Sequence, residues 1–330
     1  PLMLPIAVDA MGGDHAPAHI VAGAQLAADE GIPVILVGQP EAIGETSLEV
    51  IAASEVIAMD EDPTKSVRTK KDSSLVRAAE AVRDGRASGM VSAGNTGAAL
   101  TAATLRMKRI KGVGRPAIAT PLPMFSGGTP NILIDAGANV DCTPELLALF
   151  ARMGAVYSRA KYGIETPRVG LLSNGEEASK GSPLTKAAFP LLSESGWQQA
   201  TGANFIGNVE GRDLLGDDVD VIVTDGFTGN VALKSLEGAA KAIVDALLGA
   251  FDSSDEARQG AQLLLPALAP LYERTNPDSV GGAALVGVKG VCMISHGSSS
   301  ATAILNAVRA AHELAETDLV GQLTAALATD

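Results

Sequence analysis

The sequence predicts an α/β fold built on a largely parallel sheet. Residues 6–8 are typical of a strand, 21–30 of a helix and 33–37 of a second strand, which is the order of a βαβ unit. The composition agrees, because 46% of the residues are hydrophobic and only 3% aromatic, so aliphatic side chains fill the core. The 330 residues are enough for one large α/β domain, or for two intertwined halves.

The other elements follow in order along the chain. Apolar runs predict strands at 56–59, 89–91, 116–121, 131–134, 169–172, 205–209, 219–223 and 286–295. Helical patterns occupy 75–84 (capped by Ser73 or Ser74), 98–107, 144–152, 185–193 and the stretch from Asn230 to about residue 250. We expect a polar connection at 64–71. The apolar run 263–271 contains Pro266 and Pro270, so we expect it to be interrupted.

Five predicted strands run into corners rich in glycine, asparagine and serine. These corners lie near residues 9–14, 92–97, 135–139, 225–230 and 295–299, and two of them, 93–97 and 227–230, suggest a weak internal repeat. The carboxyl ends of parallel strands share one edge of a sheet, so we expect all the corners to meet there in one cleft. Unpaired amides at a helix start favour phosphate or carboxylate, although any single corner is equally well explained as a tight turn.

Charge is unevenly distributed along the chain. The net charge of −13 argues against nucleic acid, yet residues 65–115 contain twelve Lys/Arg and three Asp/Glu. A basic zone of this kind attracts an acidic partner, and the alternative is an ordinary solvated surface. Two cysteines argue against a disulfide framework and favour a reducing cytoplasm. No apolar run is long enough to span a membrane.

Several familiar sites are missing from the sequence. It contains neither a dinucleotide fingerprint after the first strand nor a phosphate-binding P-loop or a serine-hydrolase elbow. The four histidines and two cysteines are too scattered for a histidine- or cysteine-based metal site. The remaining candidates are polar residues at or near the corners, each with a structural alternative as a core or turn residue: Asp9, Asp14, Asp135, Lys180, Asp225 and His296.

Seven blocks of the sequence, in this order, resemble the bacterial phosphate acyltransferases, the PlsX family, along almost the whole chain. The blocks are residues 9–14, 92–98, 115–117, 135–141, 204–213, 225–231 and 296–299. The resemblance implies an acyltransferase that converts long-chain acyl–acyl carrier protein and orthophosphate into acyl phosphate, for phospholipid biosynthesis. It also implies a three-layer α/β/α fold with a mixed, largely parallel sheet, like those of isocitrate and isopropylmalate dehydrogenases and of phosphotransacetylase. It implies no metal or other cofactor.

By matching motifs, Lys180 and Asn230 are the strongest candidates for catalysis, and His296 is the third expected catalytic residue. The expected phosphate and substrate contacts are Asp9, Gly12, Gly13, Asp14, Gly94, Asn95, Thr96, Gly97, Asn139, Asp225 and Gly229. Amides of 94–97 and 229–230 would hold phosphate, Lys180 would offset its charge, Asn230 would donate to the oxyanion and His296 would protonate the leaving sulfur. Ser300 and the 173–175 segment depart from the family pattern, which weakens the assignment of a role to the 296–300 loop.

The expected partners follow from the resemblance and from the charge distribution. Acyl carrier protein is acidic, so we expect it to dock on Arg106, Lys108, Arg109 and Lys111. The resemblance implies a homodimer, peripheral attachment to the inner face of the cell membrane from the cytoplasm, and a downstream glycerol-3-phosphate acyltransferase. Helices in 235–280 would pair across the dimer, and 247–271 would supply an apolar tip, with core packing as the alternative. Other functions left open are a coenzyme A-linked phosphotransacetylase, a metal-dependent 2-hydroxy-acid dehydrogenase and a membrane organiser without turnover.

Overall fold

One sheet of eleven strands lies between two layers of helices in the computed structural model, which describes residues 3–123, 125 and 127–328. The strands are Ile6–Asp9 (β1), Val34–Gly38 (β2), Glu49–Ala52 (β3), Gly89–Ser92 (β4), Ala117–Pro121 (β5), Ile132–Ile134 (β6), Arg168–Leu172 (β7), Asn204–Val209 (β8), Val221–Val223 (β9), Ala283–Val286 (β10) and Val291–Ile294 (β11). The three-layer α/β/α fold predicted from the sequence is confirmed.

The helices cover both faces of the sheet. They are Ala18–Asp29 (α1), Pro40–Ile43 (α2), Pro63–Thr69 (α3), Ser74–Arg83 (α4), Thr96–Ala102 (α5), Pro144–Tyr162 (α6), Pro183–Leu192 (α7), Trp197–Thr201 (α8), Gly226–Phe251 (α9), Asp255–Thr275 (α10), Pro277–Val280 (α11), Ala301–Glu316 (α12) and Leu319–Leu327 (α13). A π-helical turn, Ala103–Met107, continues α5, and a 3₁₀ turn covers Gly211–Leu215.

The sheet has two parallel halves that run in opposite directions. Its strand order is β3-β2-β1-β4-β11-β10-β5-β6-β9-β7-β8. Strands β1 to β4 and β11 are mutually parallel, and so are β6 to β9, but the three central pairs β11–β10, β10–β5 and β5–β6 are antiparallel. The carboxyl ends of β1, β4 and β11 therefore lie at one edge, named the first edge, and those of β6, β7 and β9 lie at the opposite, second edge.

Alternating strand residues divide the core into two hydrophobic clusters. Ile6 and Val8 pack on the face covered by α1, α6, α12 and α13, while Ala7 packs on the face covered by α4, α5 and the start of α9. Ile132 and Ile134 likewise separate from Leu133. This two-residue alternation is what a strand buried on both faces requires.

Helices α9 and α10 form a hairpin that leaves the body of the protein. Among the described residues of these two helices, those that are buried are Gly226, Gly229 and Ala261. Pro266 and Pro270 lie inside α10 without ending it, so the expected interruption is wrong. Each proline removes one amide donor, and the freed carbonyl groups of this exposed helix can bond to water instead.

Two further local predictions are wrong. Residues 56–59 form no strand; β3 lies earlier, at Glu49–Ala52, and only Glu55 makes an isolated bridge nearby. Residues 64–71 were expected to be a connection, but α3 begins at Pro63 with Asp62 as its N-cap and Pro63 in its first turn. The cap of α4 is confirmed as Ser73, whose hydroxyl accepts from the amide of Val76.

Candidate functional site

The first corner cluster, residues 9–14, 92–97 and 296–299, lies at the first edge of the sheet. Ser92 Oγ donates to Asp9 Oδ2 over 2.7 Å and accepts from the Gly94 amide at 3.1 Å. The Asp14 amide donates to the Gly297 carbonyl over 2.8 Å. The three segments, which are far apart in the sequence, are therefore held together by hydrogen bonds.

Asp9 supports this cluster from below. Its side chain is 2% exposed, and burial raises the pKa of its carboxyl group even though Ser74, Ser92 and two backbone amides donate to it. A Cβ at Gly12 would overlap the Asp9 carboxylate and the Gly94 amide. The Asp9 carboxyl group is therefore hydrogen-bonded within the first corner cluster. Its expected contact with substrate phosphate stays a prediction.

Asn95 is the N-cap of α5 and also fastens a neighbouring segment. Its Oδ1 accepts from the Ala98 amide over 3.0 Å, and its Nδ2 donates to the carbonyls of Met59 and Glu61. Its side chain is therefore fully used within the protein. The amides of Thr96 and Gly97 donate to no described residue, so they are the donors that this corner offers to a ligand.

The second corner cluster, residues 135–139 and 225–230, lies at the second edge. Asp135 is its centre: Oδ1 accepts from the amides of Ile118, Gly137 and Ala138, and Oδ2 accepts from Asn139 N at 2.7 Å and Asn139 Nδ2 at 2.9 Å. The side chain of Asn139 also donates to the Pro116 carbonyl. This carboxylate, buried completely, fixes the loop that faces α9.

The start of α9 is packed directly against that loop. The Gly226 amide donates to the Asn139 carbonyl over 2.7 Å, and Asp225 caps the helix through Thr228. The Gly229 amide donates to the Asp225 carbonyl, and Asn230 lies in the second turn. Contrary to expectation, the amides of Gly229 and Asn230 are used inside the helix and are not free for phosphate.

The side chain of Asn230 remains available at this cluster. It is exposed, and its Nδ2 makes one hydrogen bond, to the Ala136 carbonyl at 3.3 Å. A carboxamide has two N–H donors, so one is left for a ligand. Gly137, at φ +141°, lies beneath it, where a Cβ would approach Asn230 Nδ2 to 3.0 Å.

Lys180 lies in the loop that follows β7, at the same edge as Asn230. Its aliphatic stem crosses Gly175, and its ammonium group is exposed with no carboxylate of the described residues within 4.0 Å. Arg212 steadies this loop by pairing with Glu176 at 2.7 Å and with Glu210 at 2.6 Å. Lys180 therefore offers an unpaired positive charge beside the second cluster.

Helix α9 joins the two clusters. Asn230 is in its second turn, and Glu237, two turns later on the same face, meets His296 of the first cluster: Glu237 Oε1 is 3.3 Å from His296 Nε2. Seven residues of α-helix rise roughly 10 Å. The backbone at His296 is held by Ser299, whose amide and hydroxyl both donate to its carbonyl.

The expectation that all five corners share one edge is wrong. The antiparallel strands β10 and β5 reverse the direction of the sheet between β11 and β6. Four strand spacings separate β4 from β6, roughly 19 Å. One phosphate cannot therefore touch the amides of 94–97 and the 229–230 corner together. The structure brings Lys180 and Asn230 to one edge, and His296 to the other, with α9 between them.

Three of the four cations expected to dock a carrier protein lie at the second edge. Lys108, Arg109 and Lys111 are exposed, and the Lys289 amide of the β10–β11 turn donates to the Lys108 carbonyl. Arg106 differs: it turns toward the Val67 carbonyl, and its buried Nε lies 3.9 Å from Glu80 Oε1 without forming a hydrogen bond.

Glu237 is the residue of the site that the sequence did not single out. Its spacing of seven residues from Asn230 on a predicted helix was the available signal, but its contact with His296 depends on tertiary structure. Although burial opposes ionisation of Glu237, hydrogen bonds from His296 and Lys234 prevail and lower its pKa.

Comparison with known sequences shows similarity over nearly the whole chain. The family model described as fatty acid synthesis protein matches residues 4–322. A phosphate acyltransferase of Pelotomaculum thermopropionicum is 47% identical, with 98% of this chain and 94% of the relative covered. One from Anaeromyxobacter sp. (strain K) is 48% identical, with 98% and 90% covered.

Comparison with solved structures shows the same fold in distant sequences. A phosphotransacetylase from Streptococcus pyogenes superposes with a TM-score of 0.61 at 18% identity, covering 95% of this chain and 94% of that one. A branched-chain phosphotransacylase from Enterococcus faecalis V583 gives 0.60 at 16%, covering 94% and 99%. At these identities the likeness shows the fold alone.

Proposed function

The chain belongs to the fatty acid synthesis protein family of phosphate acyltransferases, and we propose that it moves the acyl group of a long-chain acyl–acyl carrier protein onto orthophosphate, for phospholipid synthesis. The observation that carries the chemistry is the shared face of α9: Asn230 and Glu237, which contacts His296, are two helix turns apart on it, a rise of roughly 10 Å. Donors for an oxyanion and a leaving group are thus aligned along one helix.

Phosphate binds at the second cluster in this proposal. Lys180 supplies a positive charge there, and the carboxylates of Asp135 and Asp225 are both occupied by N–H or O–H donors of the protein. A phosphate oxygen attacks the thioester carbonyl carbon, and Asn230 donates to the oxygen that becomes negative. The carbon–sulfur bond points toward His296, which gives a proton to the departing thiolate.

The activity is tested by mixing the purified full chain with long-chain acyl–acyl carrier protein and radiolabelled phosphate. We expect phosphate-dependent loss of the thioester and label in acyl phosphate. Asn230→Ala lowers kcat by about 10²–10³-fold, because one oxyanion donor is lost. Ser235→Ala, an exposed substitution on the same helix, is the matched control. Near-full turnover of Asn230→Ala contradicts its role; faster transfer from acyl-coenzyme A contradicts the carrier-protein substrate.

The acidic carrier protein docks, we propose, on Lys108, Arg109 and Lys111. These exposed cations lie at the same edge as Lys180 and Asn230, so a docked carrier presents its thioester to that side of the sheet. Changing all three to Glu raises KM for the carrier thioester several-fold and weakens its salt dependence, with kcat unchanged. Lys241→Glu on α9 is the control, and an unchanged KM rules this surface out.

A second copy of the chain covers the α9–α10 hairpin in our proposal. Its exposed apolar residues, which need a partner, are Ile243, Leu247, Leu248, Leu263, Leu264 and Leu265. In the single chain, the side chain of Ile243 is 66% exposed and that of Leu263 is 83% exposed. Packing against a second copy would remove both from water. Light scattering of the variant with Ser at 263, 264 and 265 should give a monomer; a dimer of unchanged stability contradicts the proposal.

Membrane attachment remains a prediction. The residues at the turn of the hairpin are polar and acidic, from Asp252 to Glu256, and Leu263 begins two turns into α10. Leu247 and Leu248, which are 42% and 52% exposed near the end of α9, lie on the other side of this turn, so apolar residues of the 247–271 region flank it. None of the helices in the described part of the chain combines the length and apolar character needed to cross a bilayer. Co-sedimentation of the same triple variant with anionic vesicles tests contact.

A further inference from the structure

Helix α9 supplies His296 with a carboxylate that has no assigned role. Glu237 Oε1 lies 3.3 Å from His296 Nε2, and Glu237 Oε2 accepts from Lys234 Nζ at 2.8 Å. The Glu237 side chain is three-quarters buried, whereas half of the imidazole is exposed. A side chain buried to this extent, with a basic partner at each carboxylate oxygen, is restricted in its orientation.

We propose that Glu237 is a positioning residue that holds Nε2–H of His296 and thereby makes Nδ1 the nitrogen that delivers the proton to the leaving sulfur. This inference rests on the proposed function. A carboxylate can only accept, so the nitrogen facing Glu237 must carry the hydrogen. Nδ1 donates to no described residue and is left for the substrate.

The charged groups around His296 are consistent with this assignment. From α9, Glu237 faces the ring and is itself bonded to Lys234, and from the first corner Asp14 lies beside Gly297. The backbone of the His296 loop is fixed independently, because the Ser295 amide donates to the Ser92 carbonyl and the Asp14 amide donates to the Gly297 carbonyl. Glu237 therefore determines the ring and not the loop.

The proposed acyl transfer conserves atoms, electrons and protons. An oxygen of hydrogen phosphate forms a bond to the carbonyl carbon, the carbon–sulfur bond breaks, and its electron pair leaves with sulfur. The imidazolium gives its Nδ1 proton to that thiolate while Nε2–H stays on Glu237. The proton that hydrogen phosphate loses when it becomes acyl phosphate reloads Nδ1, so one proton passes in total from phosphate to thiol.

Kinetic measurements distinguish a positioning role of Glu237 from a purely structural role. We expect Glu237→Ala to lower kcat by about 10- to 100-fold with both KM values unchanged, as is typical when the partner of a working imidazole is lost. Glu237→Gln keeps an acceptor for Nε2–H and so recovers part of that loss. Asp245→Asn, an exposed acid of the same helix, is the matched control and retains full turnover.

A double substitution tests whether Glu237 acts through His296. In the His296→Ala background, adding Glu237→Ala should lower kcat by less than twofold. A further tenfold loss overturns the inference. If His296→Ala alone is fully active, the proton-donor role in the proposed function fails and this inference fails with it. If His296→Ala is slow and Glu237→Ala is fully active, only this inference fails.

Spectroscopy reports the ring nitrogen directly. The chain has four histidines, so the His296 ring signals can be assigned by their loss in His296→Ala. In ¹⁵N-histidine-labelled protein at pH 8, we expect His296 to be the Nε2–H tautomer, with Glu237→Ala giving a mixture of the two. A predominant Nδ1–H tautomer in the unsubstituted protein overturns the inference.

Discussion

The two corner clusters are each organised by a buried aspartate, but the groups that donate hydrogen bonds to it differ. Each places a buried aspartate at the end of a strand, Asp9 as the last residue of β1 and Asp135 directly after β6, to organise the loop before a helix. Asp9 accepts from the hydroxyl groups of Ser74 and Ser92 and from two backbone amides, whereas all five donors to Asp135 are N–H groups. A hydroxyl can rotate and accept, but an N–H cannot. The second cluster is therefore the less tolerant of the two.

The largest effect is expected at Gly229, where α9 approaches the second cluster. A Cβ there would overlap the Asp135 carbonyl oxygen, so the helix or the loop must move. We expect Gly229→Ala to lower the free energy of unfolding by about 3 kcal/mol and to abolish acyl transfer. Urea unfolding measures the first and the phosphate assay the second.

Gly238 of the same helix is the matched control. A Cβ at that position meets no atom within 4 Å, so Gly238→Ala should stabilise the helix by up to about 1 kcal/mol. If Gly229→Ala unfolds at the same urea concentration as Gly238→Ala, the close packing of α9 on the Asp135 loop is refuted.

Asp135→Asn is expected to have the next largest effect. The carboxamide turns its N–H₂ group toward backbone N–H donors whose acceptor is the Asp135 carboxylate, which leaves buried polar groups unpaired. We expect a loss of about 2–3 kcal/mol in the free energy of unfolding and a larger KM for phosphate, because the loop beneath Asn230 is displaced. A variant as stable as the unsubstituted chain would show that the donors of the second cluster can be rearranged.

Asp9→Asn is expected to have the smallest effect, and one that changes with pH. Ser74 and Ser92 can turn to accept from the carboxamide, so at neutral pH we expect a change within about 1 kcal/mol. Burial raises the pKa of Asp9 in the folded state, so its ionisation costs stability as the pH rises through that value. The neutral Asn avoids this cost.

The melting temperature of Asp9→Asn, relative to the unsubstituted chain, should therefore rise from pH 4 to pH 7.5. Differential scanning calorimetry at both values gives the comparison. A relative melting temperature that falls with increasing pH would mean that ionised Asp9 stabilises this corner, and the distinction between the two clusters would disappear.

The sequence alone determined the features that depend on neighbouring residues. Runs of apolar residues located most strands, a serine cap located the start of α4, and glycine-rich corners at the strand ends identified candidate site residues such as Asn230 and His296. The same motifs, because they are short and ordered along the chain, were enough to predict the family and its acyltransferase activity, which the comparisons confirm.

Only the tertiary structure decided how these features are placed relative to one another. Strands β5 and β10 are distant in the sequence, and their antiparallel pairing reverses the sheet and separates the corners onto two edges. Glu237 meets His296 because α9 crosses from one edge to the other, a contact between residues 59 positions apart. Strand direction and helix path depend on packing of the whole chain, so no local pattern of residues contained them.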